Sequence, residues 1–328
     1  MRKKMLKLEK PHEIGLLIYP GVQMSAVHGL TDMFHFADRL ARERLGATEA
    51  VIRLSHLSPR DSIEASRVYD TVPDAGGSPS FIIMAPSIKR PGDEGYEPSL
   101  VDWLREQYAQ GTKLASVCGG AFLMAQTGVL KGRAVTTHYT LVSDLVRRFP
   151  GISVDPDRLF INHGDVMTAG GLMSWTDLGL HIIERTLGPV AMAETARFMV
   201  LDPPGREQVF YSVFAPRLAH GDDAILKVQD RLAKNGPRDV TVSAMASWSG
   251  LEERTFMRRF IKATGLRPND YFQRFRIGRA REMLSLNRIP VERVAWAVGY
   301  DDPASFRKVF LKLTGLTPSG YRKRFGVG

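Results

Sequence analysis

Short apolar runs alternate with longer amphipathic stretches along the first 200 residues of this 328-residue chain. Apolar runs bounded by turn residues favour buried strands, and apolar residues three and four apart favour helices. Strands that alternate with helices predict a doubly wound, mostly parallel sheet covered on both faces. The predicted strands are residues 14–19, 51–57, 81–85, 113–117, 134–137 and 159–168, the last with a turn at 162–165; the predicted helices are residues 22–45, 99–110, 120–130, 140–149, 175–187 and 190–199; and the predicted loops are residues 70–80 and 89–98.

The pattern changes at residues 201–223, which hold three prolines, two glycines and little periodicity. We predict an inter-domain linker there. It separates an α/β domain of residues 1–200 from a second domain of residues 224–328, in which the pattern is helical throughout.

An internal repeat lies in the helical domain. Residues 256–275 (FMRRFIKATGLRPNDYFQRF) align with residues 306–325 (FRKVFLKLTGLTPSGYRKRF) at a shift of fifty positions, and ten of the twenty aligned pairs are identical. Identity at that level indicates a duplicated supersecondary unit.

Each copy follows the same order of elements. A short helix, predicted at 242–247 or 291–298, ends in a glycine-containing turn, and a second helix follows. Gly265 and Gly315 then stand where the end of a helix favours a left-handed residue. This order predicts an all-α domain with two helix-turn-helix units. Residues 271–286 between the copies form a predicted basic amphipathic helix that would hold the units at a fixed separation.

The second helix of each copy carries two phenylalanines at i, i+4 spacing, and their burial would turn the opposite face outward. Arginine and lysine on that face could reach guanine edges or phosphates, and serine or threonine suits either. A merely solvated face is the alternative for an isolated helix, but the duplication favours DNA binding. The predicted DNA-facing residues are Arg254, Thr255, Arg258 and Lys262 in the first copy and Ala304, Ser305, Lys308 and Lys312 in the second.

Charge is segregated along the chain. Residues 1–221 carry 24 Lys+Arg and 24 Asp+Glu, whereas residues 222–328 carry 21 and 11, so the net charge of +10 lies in the last third. A neutral body joined to a basic module predicts a polyanionic partner for that module, which we take to be double-stranded DNA.

Other features of composition bear on the compartment. A single cysteine, Cys118, allows no intrachain disulfide, and no apolar run approaches the ~18 residues of a membrane span. The basic N-terminus lacks the apolar core of a signal peptide. We therefore predict a cytoplasmic protein without a membrane partner.

Several segments of the C-terminal domain resemble the AraC/XylS family of transcription activators: residues 258–260 (RRF), 264–268 (TGLRP), 295–300 (AWAVGY), 305–306 (SF) and 310–321 (FLKLTGLTPSGY). The resemblance covers about 100 residues. It implies a seven-helix DNA-binding domain, with RNA polymerase as a further partner, and places Arg254, Arg258, Ala304 and Lys308 toward the groove. Ala304 is apolar, whereas a polar residue that contacts bases is expected at its position. The second unit is therefore expected to depend more on DNA shape and phosphates.

A strand–turn–helix elbow lies in the first domain, where the run at 113–117 leads into Cys118, Gly119 and Gly120. A nucleophile-type residue at such a turn is typical of active sites, and the helix dipole would stabilise a thiolate there. With His138 it could form a Cys–His pair for nucleophilic catalysis. A buried, inert cysteine and a structural histidine are the alternative.

Residues 12–200 resemble the ThiJ/PfpI branch of the class I glutamine amidotransferase-like fold, a flavodoxin-like α/β architecture, through residues 14–21 (IGLLIYPG), 115–120 (ASVCGG), 128–138 (GVLKGRAVTTH) and 167–180 (MTAGGLMSWTDLGL). Joined to the AraC-type domain, the chain is similar to GlxA-like regulators. This resemblance implies a sensor for small, often nitrogen-containing metabolites and a homodimer formed through the first domain.

Two departures from the catalytic members predict that the domain is not an enzyme. Those members usually place an acidic residue soon after the first strand, where this chain has Ala26, and Asp32 lies further along. A glycine-rich turn often follows the third predicted strand, where this chain has Pro86-Ser87-Ile88. Without these groups, acyl transfer would lack its electrostatic support.

A pocket without catalysis is what we predict at the elbow, with neither a cofactor nor a metal. Backbone N–H groups at the helix N-terminus suit a carboxylate or another anion. The predicted effector-pocket residues are Cys118, Gly119, Gly120, His138 and Asp177, although for Asp177 we favour a structural role as a cap of the helix at 175–187. Ligand binding would then shift a dimer between arrangements that do or do not match the operator.

Two other functions stay open at this stage. One is an amidohydrolase or hydratase of the ThiJ/PfpI kind with a DNA-binding tail. The other is a regulator in which Cys118 senses oxidants or electrophiles.

Overall fold

The structure is a computed structural model that describes residues 10–327 except 60–64, 74, 90–95, 206, 212–213, 215, 217, 219, 237 and 239. The chain divides into two units, Met1–Gln208 and Val209–Gly328. The division falls inside the segment 201–223. No helix in the described ranges combines the length and the apolar character needed to cross a lipid bilayer.

The first unit alternates strands with helices. In its described part, the strands are β1 (His12–Leu17), β2 (Ile52–Pro59), β3 (Ala65–Asp70), β4 (Phe81–Met84), β5 (Lys113–Val117), β6 (Ala134–Val135), β7 (Ser153–Val154), β8 (Phe160–Asn162) and β9 (Val166–Ala169). The α-helices are α1 (Met24–Leu45), α2 (Pro98–Ala109), α3 (Gly120–Gln126), α4 (Val142–Arg148), α5 (Trp175–Leu187) and α6 (Pro189–Phe198), and a 3-10 helix covers Tyr139–Leu141.

Seven of these strands form one sheet in the order β3-β2-β1-β4-β5-β9-β8. The five central strands are parallel, and β3 and β8 pair antiparallel at the two edges. Strands β4 and β9 are buried at every residue, which is expected of parallel strands covered on both faces. The mostly parallel α/β fold predicted from the sequence is confirmed.

Several predicted bounds are wrong. The strand at 134–137 shortens to β6, which pairs with β7 outside the main sheet. Helix 120–130 ends at Gln126, and the helix at 140–149 becomes a 3-10 turn followed by α4. The predicted loop at 89–98 lies mostly outside the described residues, and α2 begins at its last position.

The edge strand β3 was not predicted, because a strand on the sheet edge lacks the continuous apolar run of a buried one. It carries Arg67 and Asp70 into a buried ion network. Glu13 of β1 lies at the centre, accepting from Arg53 Nη1 at 3.0 Å, Arg67 Nε at 2.9 Å and Ser55 Oγ at 2.9 Å. Arg53 also donates Nε to Asp70 Oδ1 at 2.9 Å. The network ties the edge strand β3 to β1, the third strand of the sheet.

The second unit is helical. In its described residues it contains seven α-helices, as the family resemblance implied: α7 (Asp223–Asn235), α8 (Val242–Ser249), α9 (Glu253–Thr264), α10 (Pro268–Leu286), α11 (Val291–Ala297), α12 (Pro303–Thr314) and α13 (Pro318–Phe325). Helices α9 and α12 end at Gly265 (φ 77°) and Gly315 (φ 70°), both left-handed, as predicted.

Two separate apolar cores occupy this unit, one for each copy of the repeat. Phe256 and Phe260 of α9 are fully buried in the first, and Phe306 and Phe310 of α12 in the second. Helix α10 contributes to both cores, because its N-terminal half packs into the first and its C-terminal half into the second. It therefore joins the two helix-turn-helix units rigidly.

Candidate DNA interface and effector site

Helix α9 presents a basic face opposite its buried phenylalanines. Arg254, Arg258 and Lys262 are exposed and Thr255 is half-buried. Because Phe256 fixes the inward side of the helix, these positions project from the other side of the unit, as the sequence predicted. Their role as DNA contacts stays a prediction.

Helix α12 repeats this arrangement with fewer polar groups. Ala304, Ser305, Lys308 and Lys312 are all exposed. The Asp302 carboxylate caps the helix by accepting the backbone N–H groups of Ala304 and Ser305, each at 2.9 Å. The Ser305 hydroxyl donates to the same carboxylate at 2.7 Å, so its oxygen is left to act as an acceptor.

The cations of these two helices fall into two groups. Some form ion pairs within the protein, and the outward-facing ones form none with the described residues. Arg259 forks onto Asp222, with Nε and Nη2 at 2.9 and 2.7 Å from the two carboxylate oxygens, and holds the pKa of Asp222 below its usual range. Arg307 pairs with Glu292. Within the described residues, no ion pair involves the five predicted DNA-facing cations, Arg254, Arg258, Lys262, Lys308 and Lys312. Their charges remain available to an external anion.

The elbow at Cys118 has the strained turn that its sequence predicted. Cys118 adopts φ +54°, a left-handed conformation that is uncommon for a non-glycine residue. Its backbone N–H donates to Ala169 O at 2.8 Å, which continues the β5–β9 pairing. A Cβ on Gly120 would lie 2.3 Å from Met84 O, so only glycine allows α3 to approach β4 this closely.

The expectation of a stabilised thiolate is wrong. Burial raises the pKa of Cys118 to about 11, although the backbone N–H groups of Gly119 and His138 oppose that rise by donating to the sulfur. Cys118 is 5% exposed, and desolvation outweighs these two donors. The thiol is therefore protonated at pH 7.

The other predicted pocket residues have local structural roles. The ring of His138 contacts Thr140 through Nδ1 at 2.8 Å and stacks on Tyr139, and burial lowers its pKa. In the described residues no hydrogen bond joins this ring to the sulfur of Cys118. Asp177 is buried in the first turn of α5, three residues after the N-cap residue Ser174, and its role as a cap of this helix stays a prediction.

Comparison with known families assigns both units. Residues 245–324 match the model of a helix-turn-helix domain, and residues 88–185 match the model of the DJ-1/PfpI family. The first unit is thus similar to DJ-1/PfpI proteins and is called the DJ-1/PfpI domain below, and the second is similar to AraC-type helix-turn-helix domains. The first match spans α9 and α12 with all eight predicted DNA-facing residues, and the second spans Cys118, His138 and Asp177.

Three relatives illustrate the similarity. The HTH-type transcriptional regulator CdhR of Pseudomonas aeruginosa is 25% identical over 64% of this chain and 62% of its own length. The HTH-type transcriptional regulator GlxA of Rhizobium meliloti is 26% identical over 62% of this chain and 63% of its own. The isonitrile hydratase of Pseudomonas putida is 25% identical over 54% and 72%. The chain thus covers less than two thirds of either regulator.

The DJ-1/PfpI domain lacks a carboxylate at the position expected beside the cysteine. Ala26 is fully buried in α1, and Asp32, six residues later, is exposed. The segment after β4 pairs with the turn after β1, because Gln23 N–H donates to Pro86 O at 2.7 Å and Ile88 N–H donates to Gly21 O at 2.8 Å. The N–H groups of Gln23 and Ile88 are therefore engaged in backbone hydrogen bonds within the fold.

Two tyrosines that sequence reasoning missed line the surroundings of Cys118 in the DJ-1/PfpI domain. The Tyr19 hydroxyl donates to Ala85 O, and its ring meets Tyr96 edge-on at 5.8 Å. Burial raises the pKa of Tyr96 to about 12 and that of Tyr19 well above its usual value. Both phenols are neutral, so this aromatic pair adds no charge beside Cys118.

Five buried polar atoms of the DJ-1/PfpI domain have no hydrogen-bond partner among the described residues, and two of them, Arg44 Nε and Glu194 Oε2, face each other as an ion pair at 3.2 Å. The other three are Gln23 Oε1, Ser116 Oγ and Trp175 Nε1. They belong to the turn after β1, to the end of β5 and to the first residue of the helix after β9. Parallel strands place these positions at one carboxyl edge of the sheet, where α/β proteins bind ligands. Unmade hydrogen bonds at such an edge are costly unless a ligand or water completes them.

Gln208 links the elbow region to the end of the DJ-1/PfpI domain. It is 2% exposed and packs on Gly170, where a Cβ would lie 2.7 Å from its amide. Its Nε2 donates to Thr137 O at 3.0 Å, and its Oε1 accepts from Tyr139 N–H at 3.3 Å. Thr137 in turn donates its hydroxyl to Cys118 O at 2.7 Å. Sequence reasoning had assigned Gln208 to a linker, because nothing local signals its burial.

Proposed function

We propose that this protein is a sequence-specific, DNA-binding transcription regulator whose DJ-1/PfpI domain binds a small-molecule effector. The observation that carries the DNA-binding part is the face repeated on α9 and α12. Five of its cations lack an ion pair with any described residue, whereas neighbouring cations on the same helices are paired. Two such helices held by α10 suit adjacent segments of a major groove, about 34 Å apart for one turn of DNA.

The effector site that we propose lies at the carboxyl edge of the sheet, around Cys118, Gly119, Gly120, His138 and Asp177. Support comes from the unpartnered Gln23, Ser116 and Trp175 atoms. Trp175 Nε1 needs an acceptor, and the amide oxygen of Gln23 needs a donor. A small molecule with both kinds of group, such as an amino-acid-like metabolite, would supply them. A homodimer through the first domain and contact with RNA polymerase stay predictions from the resemblance.

Gln208 offers a route by which effector binding could reach the second unit. It is the last residue of the first unit and bonds to both residues that flank His138. A ligand that displaces the His138 segment would break these bonds, and burial without them is unfavourable. Gln208→Ala is therefore expected to retain effector binding and to lose the effect of the effector on DNA binding. Gln110→Ala, at an exposed glutamine, is the control.

The DNA-binding proposal is tested by measuring full-chain affinity for promoter duplexes across salt concentrations. We expect a linear fall of log K with log salt, at a slope of about −0.9 per phosphate neutralised. An affinity that does not change with salt concentration would refute the proposal that the basic face contacts DNA. Thermal shifts of the full chain with amino acids, betaines and polyamines then search for the effector.

A second candidate function is hydration or amide hydrolysis at Cys118, favoured by the elbow and by similarity to an isonitrile hydratase. The buried Ala26 and the raised pKa of Cys118 oppose it. Turnover of an isonitrile or amide by the full chain, abolished in Cys118→Ala, would replace our proposal with an enzyme.

Redox sensing by Cys118 is tested by its reaction with iodoacetamide. Because the thiolate is the nucleophile and the pKa is about 11, the alkylation rate of the folded chain should rise about tenfold per pH unit from pH 7 to 10. The urea-unfolded chain, as control, should level off above pH ~8.5. A plateau below pH 8 in the folded chain would mean a stabilised thiolate and would favour the redox sensor.

A further inference from the structure

Ile261 and Leu311 are exposed apolar side chains at equivalent positions of the two copies, fifty residues apart. Ile261 is 41% exposed and Leu311 is 46% exposed. Neither belongs to the apolar cores of the second unit or packs against them. A single exposed apolar residue is common on protein surfaces and means little. A large aliphatic residue at the same position of both copies calls for a shared cause.

Helical geometry places Ile261 on the same face of α9 as Arg254 and Arg258. It places Leu311 on the same face of α12 as Ala304 and Lys308. We call each of these two faces a stripe. At 100° per residue, Ile261 lies about 20° from Arg254 and about 60° from Arg258 around the axis of α9, on the side away from Phe256. Leu311 has the same relation to Ala304 and Lys308 of α12. The i, i+4, i+7 spacing of each stripe is one at which the recognition helix of a homeodomain contacts bases.

An apolar side chain in the major groove has one favourable partner there, the 5-methyl group of thymine. Against the polar edges of the other bases it removes water without replacing the lost hydrogen bonds. We propose that Ile261 and Leu311 each contact a thymine methyl group and thereby select thymine at one position in each half of the binding site. This inference rests on the DNA-binding function proposed above and adds a base preference to it.

The two halves of the site should differ in their other bases. In α9, Ile261 shares its stripe with Arg254 and Arg258, whose guanidinium groups suit the O6 and N7 atoms of guanine. In α12, Leu311 shares its stripe with Ala304, a second apolar group that suits a thymine methyl. The first half is therefore a guanine- and thymine-containing sequence, and the second half is richer in thymine.

The test uses the full chain and duplexes that it selects from a random library. Each thymine of the selected site is replaced in turn by deoxyuridine, which removes the methyl group and leaves every hydrogen-bonding group in place. At one thymine or more in each half, we expect this replacement to weaken binding about fourfold, the effect of one buried methyl group.

Variants assign each methyl contact to a side chain. Sensitivity to deoxyuridine should disappear at one position in Ile261→Ala and at the other in Leu311→Ala, and both should persist in Leu286→Ala, the control at an exposed leucine of α10. Thermal unfolding should stay near that of the unmodified chain, because these side chains lie outside the cores.

The outcomes separate this inference from the function on which it rests. Specific, salt-dependent binding that is indifferent to deoxyuridine, or sensitivities that survive in both Ile261→Ala and Leu311→Ala, would overturn the methyl contacts and leave DNA binding intact. A library that yields no enriched sequence would overturn DNA binding itself and the inference with it.

Discussion

Replacing Arg254 and Arg258 together with alanine is expected to weaken binding to the preferred duplex by about 100-fold or more. Both side chains are exposed, and neither forms an ion pair with a described residue, so their removal leaves the fold of α9 intact. Each bidentate arginine–guanine contact is worth about 1–3 kcal/mol, which is about tenfold to more than 100-fold in affinity. Binding competition against random DNA should also show reduced specificity.

The matched control removes the same number of positive charges elsewhere in the second unit. Lys234 and Arg279 are exposed and paired with acidic neighbours, and neither lies on α9 or α12. The double variant Lys234→Ala/Arg279→Ala should change affinity much less and leave specificity unchanged. Equal losses in the two double variants would show that net charge, rather than the α9 face, determines binding.

Removing the central carboxylate of the buried ion network should destabilise the DJ-1/PfpI domain strongly. Glu13→Ala leaves Arg53 and Arg67 without a partner that each contacts within about 3 Å. Breaking one side of a buried pair typically costs about 3–5 kcal/mol, and we expect the lower end because Asp70 still compensates Arg53. Thermal unfolding of the full chain, followed by the transition of its first unit, measures the effect.

The control for this variant is Glu43→Ala, because the exposed Glu43–Arg39 pair is worth at most about 1 kcal/mol. Glu13→Gln, which keeps the shape and one acceptor, should fall between the two. A Glu13→Ala variant as stable as Glu43→Ala would mean that the network contributes specificity of packing rather than stability.

The same network predicts a loss of stability in acid. Burial raises the pKa of Asp70, but the hydrogen bonds and charge of Arg53 outweigh it, so the folded pKa lies below the usual value of Asp. A lowered folded pKa gives stabilisation that is complete above about pH 4 and is lost as the pH falls through the folded value. The first unit should therefore weaken below pH 4, and Asp70→Asn should flatten that dependence.

The sequence by itself determined those features whose causes are local. The alternation of strands and helices, the fifty-residue duplication, the left-handed Gly265 and Gly315 and the outward stripe of α9 and α12 all follow from periodicity and backbone preference over a few residues. The structure confirmed the fold class and these helix ends. The structure also showed that Ile261 and Leu311 are exposed on the same stripes. Considering only polar residues as DNA contacts had left these two out.

Only the tertiary structure decided the features that depend on residues far apart in the chain. Strand β3 and its ion network could not be predicted from the sequence, because Glu13, Arg53 and Asp70 come together only when three strands pair. The raised pKa of Cys118 depends on burial by the whole domain, which the local sequence does not reveal. Gln208 looks like a linker residue until the fold brings Gly170 and Thr137 around it, because burial is a property of packing rather than of local sequence.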